Sequence, residues 1–484
     1  MNRELKRVSV LVVLMFVALF VSTSIIQVFQ ADNLSADPRN ARTLYDGYDV
    51  QRGSILVAGQ PVAESVASDD RYKYQRTYSN GELYAAVTGY FAIGGAPTGI
   101  EGALNSDLSG TAGSQFLDRI SRIVTGEAPR GDSVELTIDP VVQQAAWDAL
   151  GDLQGAVVAV DPKTGAILAM VSKPSFDPNP IASHDSDASD AAYSGLLDDP
   201  SQPLQNRAIE GDLNPPGSVF KLVVSSAALN GGKYTPDSEF PNPSTYQLPG
   251  TDTFINNSEG GSCGGGDTAT IATALRLSCN IPFAELGGAL GEDTIAAMAS
   301  AYGFGQDVSI PMSVTPSTYP AGLDAGQLAL SSFGQYEDRV TPMQMAMVSA
   351  GIANGGVVMQ PNLVKQVLAP DLTVRSTFTP TEFSRPISDN TSATLTQMMV
   401  NGVENGAASN ARIDGVSVAG KTGTAENGGD DPYTLWFTGF APADDPQVAI
   451  AVVVENGGGL GQDGFGNLVA APIAKQVIEA VLNR

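Results

Sequence analysis

The first strong pattern along the chain is a mostly apolar run from Val8 to Phe29, preceded by Arg3, Lys6 and Arg7. At about 1.5 Å per helical residue the run is long enough to cross a bilayer. Its basic end predicts that residues 1–7 stay in the cytoplasm and that everything after the run lies outside. Residues 8–29 read as an uncleaved anchor, because Gln27-Val28-Phe29-Gln30-Ala31 lacks the small residues of a signal-peptide cleavage site. In such a compartment disulfides persist and ATP is not supplied.

From Asp32 to Asp139 the pattern breaks into short strand-like pieces, such as Tyr72 to Tyr78, separated by glycine-rich turns. A small β-rich module over 32–139 is predicted, with no cluster of nucleophile, base or metal ligands. Arg130-Gly131-Asp132 reads as a turn before the strand Ser133 to Ile138. Beyond Pro140 come a helix from Val141 to Leu150 and two apolar strands, Gly155 to Val160 and Ala166 to Val171. The segment Asp161-Pro162-Lys163-Thr164-Gly165 joins them with hairpin turn chemistry. Helical patterns follow at Asp267 to Leu277, Pro282 to Leu290 and Pro342 to Asn354. Strands return at Tyr433 to Phe440 and Val448 to Glu455, before a last helix from Pro472 to Leu482. Strands at both ends with helices between predict an α+β domain over 140–484 whose terminal segments pair into one sheet.

Composition narrows the functions this chain can have. With 484 residues, 43% hydrophobic and 16% charged, it can bury a sizeable core. The net charge of −26 repels phosphate backbones, so nucleic acid is excluded as a partner. One histidine and two cysteines are too few strong ligands for a zinc site, and neither metal nor cofactor is expected. His184, inside Ser183-His184-Asp185-Ser186-Asp187, reads as a solvated loop residue, yet any Ser-His-Asp arrangement would have to use it.

A different nucleophile is available. Ser218-Val219-Phe220-Lys221 opens an apolar helical segment bracketed by Pro215-Pro216-Gly217 and Gly231-Gly232. A spacing of three puts Ser218 and Lys221 on one helix face. A lysine desolvated there gives up its proton readily and can activate the serine, while the helix N-terminus offers N–H groups to a developing oxyanion. Chance also produces such pairs, and a serine near a helix cap beside a snorkelling lysine is the plain alternative. Among the lysines, only Lys221 has a serine three positions earlier.

Two further motifs follow in order, Ser278-Cys279-Asn280 and Lys421-Thr422-Gly423-Thr424. Each has a decoy. Lys163-Thr164-Gly165 fills a hairpin turn, and Ser388-Asp389-Asn390 stands where a cap belongs before the helical pattern Thr391 to Val403. The set S-x-x-K, S-x-N and K-T-G resembles that of the penicillin-recognising serine enzymes. The segments Gln51-Arg52-Gly53-Ser54-Ile55-Leu56, Pro203 to Ala208, Val340 to Ala346 and Trp436 to Pro442 are similar to class B penicillin-binding proteins. The likeness is greatest to the actinobacterial A type and covers roughly Asp32 to Arg484.

The resemblance implies a penicillin-binding transpeptidase fold, an antiparallel sheet flanked by helices, behind a non-catalytic pedestal or dimerisation-like module. It implies that Ser218 attacks the carbonyl between the two terminal D-alanines of a peptidoglycan stem peptide. Lys221 would take the proton and Ser278 would relay it. Asn280 would hold the substrate amide, while Lys421, Thr422 and Thr424 bind the terminal carboxylate and Gly423 admits the substrate backbone. Backbone N–H groups of Ser218 and Thr424 would form the oxyanion hole. β-Lactam antibiotics would acylate the same serine. Cys279 departs from the usual motif, and with Cys263 sixteen residues away in an oxidising compartment a Cys263–Cys279 disulfide is expected. A separate glycosyltransferase and divisome proteins are the partners implied. A D,D-carboxypeptidase and a catalytically silent divisome scaffold are the alternatives. A β-lactamase is disfavoured because no water-activating base is evident.

Overall fold

The runs that are apolar at every position become strands covered on both faces. In the computed structural model Ala419–Ala425, Thr434–Ala441, Val448–Val454, Gly155–Val160 and Ile167–Lys173 lie side by side, in that order, as one antiparallel sheet. Gly155 pairs with Val454 on one side and Lys173 on the other, so segments from both ends of the 140–484 region meet at the centre of the sheet. The period of two along each strand sorts the side chains by face. Val157, Ala159, Ile450 and Val452 pack under Val142, Ala146 and Leu150 of the helix Pro140–Leu150, and under Ile473, Val477 and Val481 of the helix Ala470–Leu482. Val158, Val160, Ala451 and Val453 face a second core that contains Met343, Met345 and Val348 of the helix Pro342–Ala353. Each fully buried Val, Leu or Ile contributes about 1.5–3 kcal/mol of transfer free energy. The helix starts are capped as their sequences imply: Asp139 accepts from Val141 N and Val142 N, and Thr341 accepts from Gln344 N.

The structure describes residues 2–30, 50–92, 95–115, 125–126, 128–211, 213–257 and 260–484. The expected start of the β-rich module, 32–49, lies outside them. The N-terminal helix Asn2–Ser24 continues into a π turn, Ile25–Phe29, and its stretch Leu5–Gln27 has a mean hydropathy of 2.6 with none of it buried against protein. Among the described residues it is the one helix long and apolar enough to cross a membrane.

The N-terminal module builds a second sheet, ordered Val374–Thr377, Val364–Leu368, Ser133–Leu136, Ile55–Val57, Gln60–Ala67 and Tyr74–Tyr78. Two of its six strands come from far along the chain, so the division expected at residue 139 is crossed by the hairpin 364–377. The interior of the module is tied by a buried carboxylate. Glu101 receives Arg52 Nε at 2.5 Å and Arg76 Nε at 2.6 Å, with all three side chains essentially shut off from solvent. Burial alone would push the Glu101 carboxyl up, but the two guanidinium groups more than reverse that and hold it low.

Two expectations need correction. Asp267 to Leu277 is not one helix: Thr268–Thr270 forms a strand against Glu239–Pro241, and the helix begins at Ile271, with the Thr270 hydroxyl capping Thr273 N. His184 is not a solvated loop residue. Its side chain is only 9% exposed, Nδ1 lies 2.5 Å from Asp70 Oδ2, and its ring packs on Tyr72. It joins the catalytic region to the module, beside the Tyr78–Asn179 and Gln75–Ala182 hydrogen bonds.

Candidate active site

Gly217–Phe220 forms a 3-10 turn that runs straight into the helix Lys221–Asn230, and the junction places Ser218 and Lys221 on one face. Gly217 has a φ of +52°, and a Cβ there would lie 2.8 Å from Thr424 O. Only glycine lets the turn press against the strand Ala419–Ala425 in this conformation. The turn is held from two further sides: Gly217 N donates to Gly334 O at 2.8 Å, and Trp436 Nε1 donates to Pro215 O at 2.9 Å.

Lys221 is the hub. Its Nζ lies 2.9 Å from Ser218 Oγ, 2.8 Å from Ser278 O and 2.9 Å from Asn280 Oδ1. The side chain is fully buried, with the rings of Phe283 and Phe333 within 6 Å of the nitrogen. Burial, reinforced by the nearby charge of Lys421, drives the Lys221 ammonium well below the ordinary lysine range. An amine so desolvated, this close to a serine hydroxyl, can take its proton.

Ser278 caps the helix Ile271–Leu277 in the left-handed region, at φ +62°, a strained conformation for a residue with a side chain. That twist sends its carbonyl to Lys221 and its hydroxyl to Lys421, whose Nζ donates to Ser278 Oγ at 2.7 Å and to Thr422 O at 2.7 Å. Lys421 is also buried, and desolvation lowers its pKa to about 7. Cys279, fully buried, is bonded to Cys263 with their Cα atoms 5.8 Å apart.

Among the described residues the strand Ala419–Ala425 pairs only with Thr434–Ala441, and its other edge lies open along the cleft. Two of its residues make contacts that bear on their expected roles. The Thr422 hydroxyl donates to Ala407 O at 2.9 Å, which directs it to the loop behind the strand and leaves Thr424 as the better hydroxyl for an incoming carboxylate. Thr424 Oγ1 accepts from Gly466 N, so its own proton can be donated. At Gly423 a Cβ would lie 2.8 Å from Pro216 O, so this glycine is needed first for the approach of the nucleophile turn. The decoys stay apart: Lys163 pairs with the exposed Asp445, and Ser388 caps the helix Asp389–Asn405 through Thr391 N. Among the described residues no group of acidic, histidine or cysteine side chains is arranged to hold a metal ion.

Residues invisible as chemistry in the sequence complete the site. Gly334 O anchors Gly217, and Asn256 O accepts from Asn280 Nδ2 at 3.1 Å. Both act through backbone carbonyls, which carry no residue-type signal.

Comparison with known proteins matches residues 155–479 to the penicillin binding protein transpeptidase domain and residues 52–134 to the penicillin binding protein A dimerisation domain. The peptidoglycan D,D-transpeptidase PbpA of Mycolicibacterium smegmatis is 44% identical over 491 residues, covering 100% of this chain and 99% of that protein. Its namesake in Mycobacterium tuberculosis is 42% identical with the same coverage. The crystal structure of penicillin-binding protein A from M. tuberculosis as a ceftriaxone acyl-enzyme superposes with a TM-score of 0.87 at 40% identity, covering 90% of this chain and 100% of that one.

Proposed function

Because the chain belongs to the penicillin-binding protein transpeptidase family, we propose that it is a peptidoglycan D,D-transpeptidase with Ser218 as its acylated nucleophile. The observation that carries this is the contact of the buried Lys221 with Ser218 Oγ at 2.9 Å, inside a cleft that also gathers Asn280, Ser278 and Lys421.

Ser218 Oγ attacks the carbonyl between the terminal D-alanines of a stem peptide while its proton passes to Lys221 Nζ. The oxyanion forms against the backbone N–H groups of Ser218 and Thr424. The C–N bond then breaks, and the proton held by Lys221 reaches the departing D-alanine amine with Ser278 as relay. Lys421 and the Thr424 hydroxyl hold the terminal carboxylate, with Asn280 on the substrate amide. An amine from a neighbouring stem next attacks the ester, restores the Ser218 hydroxyl and makes the crosslink. Water in place of that amine gives a carboxypeptidase product. A β-lactam opens on Ser218 in the same way, but its leaving nitrogen stays tethered and the ester persists.

The N-terminal helix anchors the enzyme in the cell membrane by a single pass, with Arg3, Lys6 and Arg7 in the cytoplasm and the catalytic domain outside. The module over 32–139 serves as a non-catalytic pedestal for the domain over 140–484. Glycan polymerisation falls to a separate glycosyltransferase, and by analogy with the family type the enzyme works alongside division proteins.

Intact-mass spectrometry of the full chain in detergent, with and without benzylpenicillin, tests the reading on wild type and Ser218→Ala. A persistent penicilloyl adduct on wild type and none on the variant is expected. Consumption of the antibiotic without an adduct identifies a hydrolase instead, and an intact antibiotic without an adduct leaves only a scaffold.

A further inference from the structure

The helix Ile281–Leu290 starts immediately behind Ser278-Cys279-Asn280, so its first backbone N–H groups need acceptors from outside the helix. Asn280 occupies the position from which an asparagine side chain ordinarily supplies one. Its side chain makes no such bond. Instead Oδ1 lies 2.9 Å from Lys221 Nζ, and Nδ2 donates to Asn256 O.

The acceptor comes from another segment. Asn257 Oδ1 accepts from Asn280 N at 3.0 Å and from Ile281 N at 3.1 Å. Asn257 is 3% exposed, and its Nδ2 donates to Asn242 Oδ1 at 3.2 Å and to Gly261 O at 3.1 Å. Asn242, fully buried, also accepts from Cys263 N, and its Nδ2 donates to Cys263 O at 2.8 Å and Gly266 O at 2.9 Å. Two routes therefore reach the S-x-N loop from Asn242: one through Asn257 to Asn280, the other through Cys263 and its disulfide to Cys279.

We propose that Asn257, steadied by Asn242, is a positioning residue of the acylation reaction: by accepting from the Asn280 and Ile281 N–H groups it fixes the backbone that presents the Asn280 amide to Lys221 and the substrate. Neither residue touches the reacting atoms. Without the Asn257 carbonyl the Asn280 and Ile281 N–H groups lose their acceptor, and the backbone that aims Asn280 at Lys221 loses its fixed place. The inference rests on the transpeptidase reading above.

The test is a double-mutant cycle on the full chain in detergent. Acylation by benzylpenicillin is resolved into a binding constant and a first-order acylation rate for wild type, Asn257→Ala, Asn280→Ala and the double variant, each as a function of pH. Asn257→Ala is expected to lower the acylation rate roughly 10–100-fold, as small misplacements of reacting groups do, with binding changed far less. The acid limb of its rate profile moves to lower pH, because the Lys221 ammonium has lost an acceptor. In the Asn280→Ala background the Asn257→Ala change has little further effect. Equal losses with and without Asn280, or an unchanged rate in Asn257→Ala, would overturn the proposal. Should Asn257→Ala fail to fold, Asn242→Ser in the same cycle decides by the same criterion. A wild-type chain that takes no penicilloyl group removes the transpeptidase reading instead, which separates the two failures.

Discussion

Lys421 donates to the Ser278 hydroxyl across 2.7 Å in a spot where both side chains are almost closed to solvent. The lysine carries its charge below about pH 7 and loses it above, since burial is what lowers it. The second-order rate of acylation reports the free enzyme. That rate for a carboxylate-bearing β-lactam is therefore expected to fall on the alkaline side, with an apparent pKa near 7. Lys421→Arg keeps a charge and should remove this limb while slowing the reaction overall. A limb that survives in the arginine variant assigns it to another group.

Lys221→Met separates chemistry from stability. Loss of the base is expected to slow acylation by roughly 10²–10⁴-fold. The folded-state pKa of Lys221 lies below its unfolded value, so between the two the unfolded chain holds more protons and stability rises with pH. At neutral pH the buried amine therefore costs stability, and Lys221→Met should melt no lower than wild type. Thermal melts at pH 7 and 9 check it, with the gap between variant and wild type narrower at pH 9.

Removal of Glu101 acts far from the cleft. Glu101→Ala leaves Arg52 and Arg76 buried without a counter-charge, a loss on the order of 3–5 kcal/mol. The depressed carboxyl contributes stability that is present above its unfolded pKa, about 4.3, and disappears as pH falls through the folded value. Denaturation followed from pH 7 to pH 3 should show wild type losing part of its advantage over the variant at the acid end. Equal stability at pH 7 would count against the network.

Cys263→Ser with Cys279→Ser opens a loop of sixteen residues and is expected to cost about 3 kcal/mol, with slower acylation because Ser278 and Asn280 sit on the freed segment. Stability and acylation rate measured on the same preparation test both halves. An unchanged rate would show that the hydrogen bonds through Asn242 and Asn257 suffice to hold the loop.

Much of the architecture was legible along the chain because fully buried strands read as unbroken apolar runs and helices announce their caps. The hairpin Asp161 to Gly165, the cap at Ser388 and the joining of both terminal segments in one sheet follow from patterns of that kind. Pairing partners were less legible, since periodicity says that a face is covered and not by what. Nothing in Val364 to Thr377 indicates that it joins a strand at Ser133 to Leu136, and nothing in the polar run around His184 points to Asp70. At the site, residue types and order revealed the side chains, whereas the turning away of the Thr422 hydroxyl depends on a carbonyl at Ala407 contributed by an adjoining loop.

The central pairing of Val160 with Ala449 has a temporal meaning. As the chain is made, the strand Gly155–Val160 emerges early and has to wait, apolar on both faces, until Val448–Val454 follows. Ala419–Ala425, which carries the lysine of the third motif, has no sheet to join before then. The cleft is thus completed only when most of the chain has been made and the Ser218 turn and the strand Ala419–Ala425 can be clasped together.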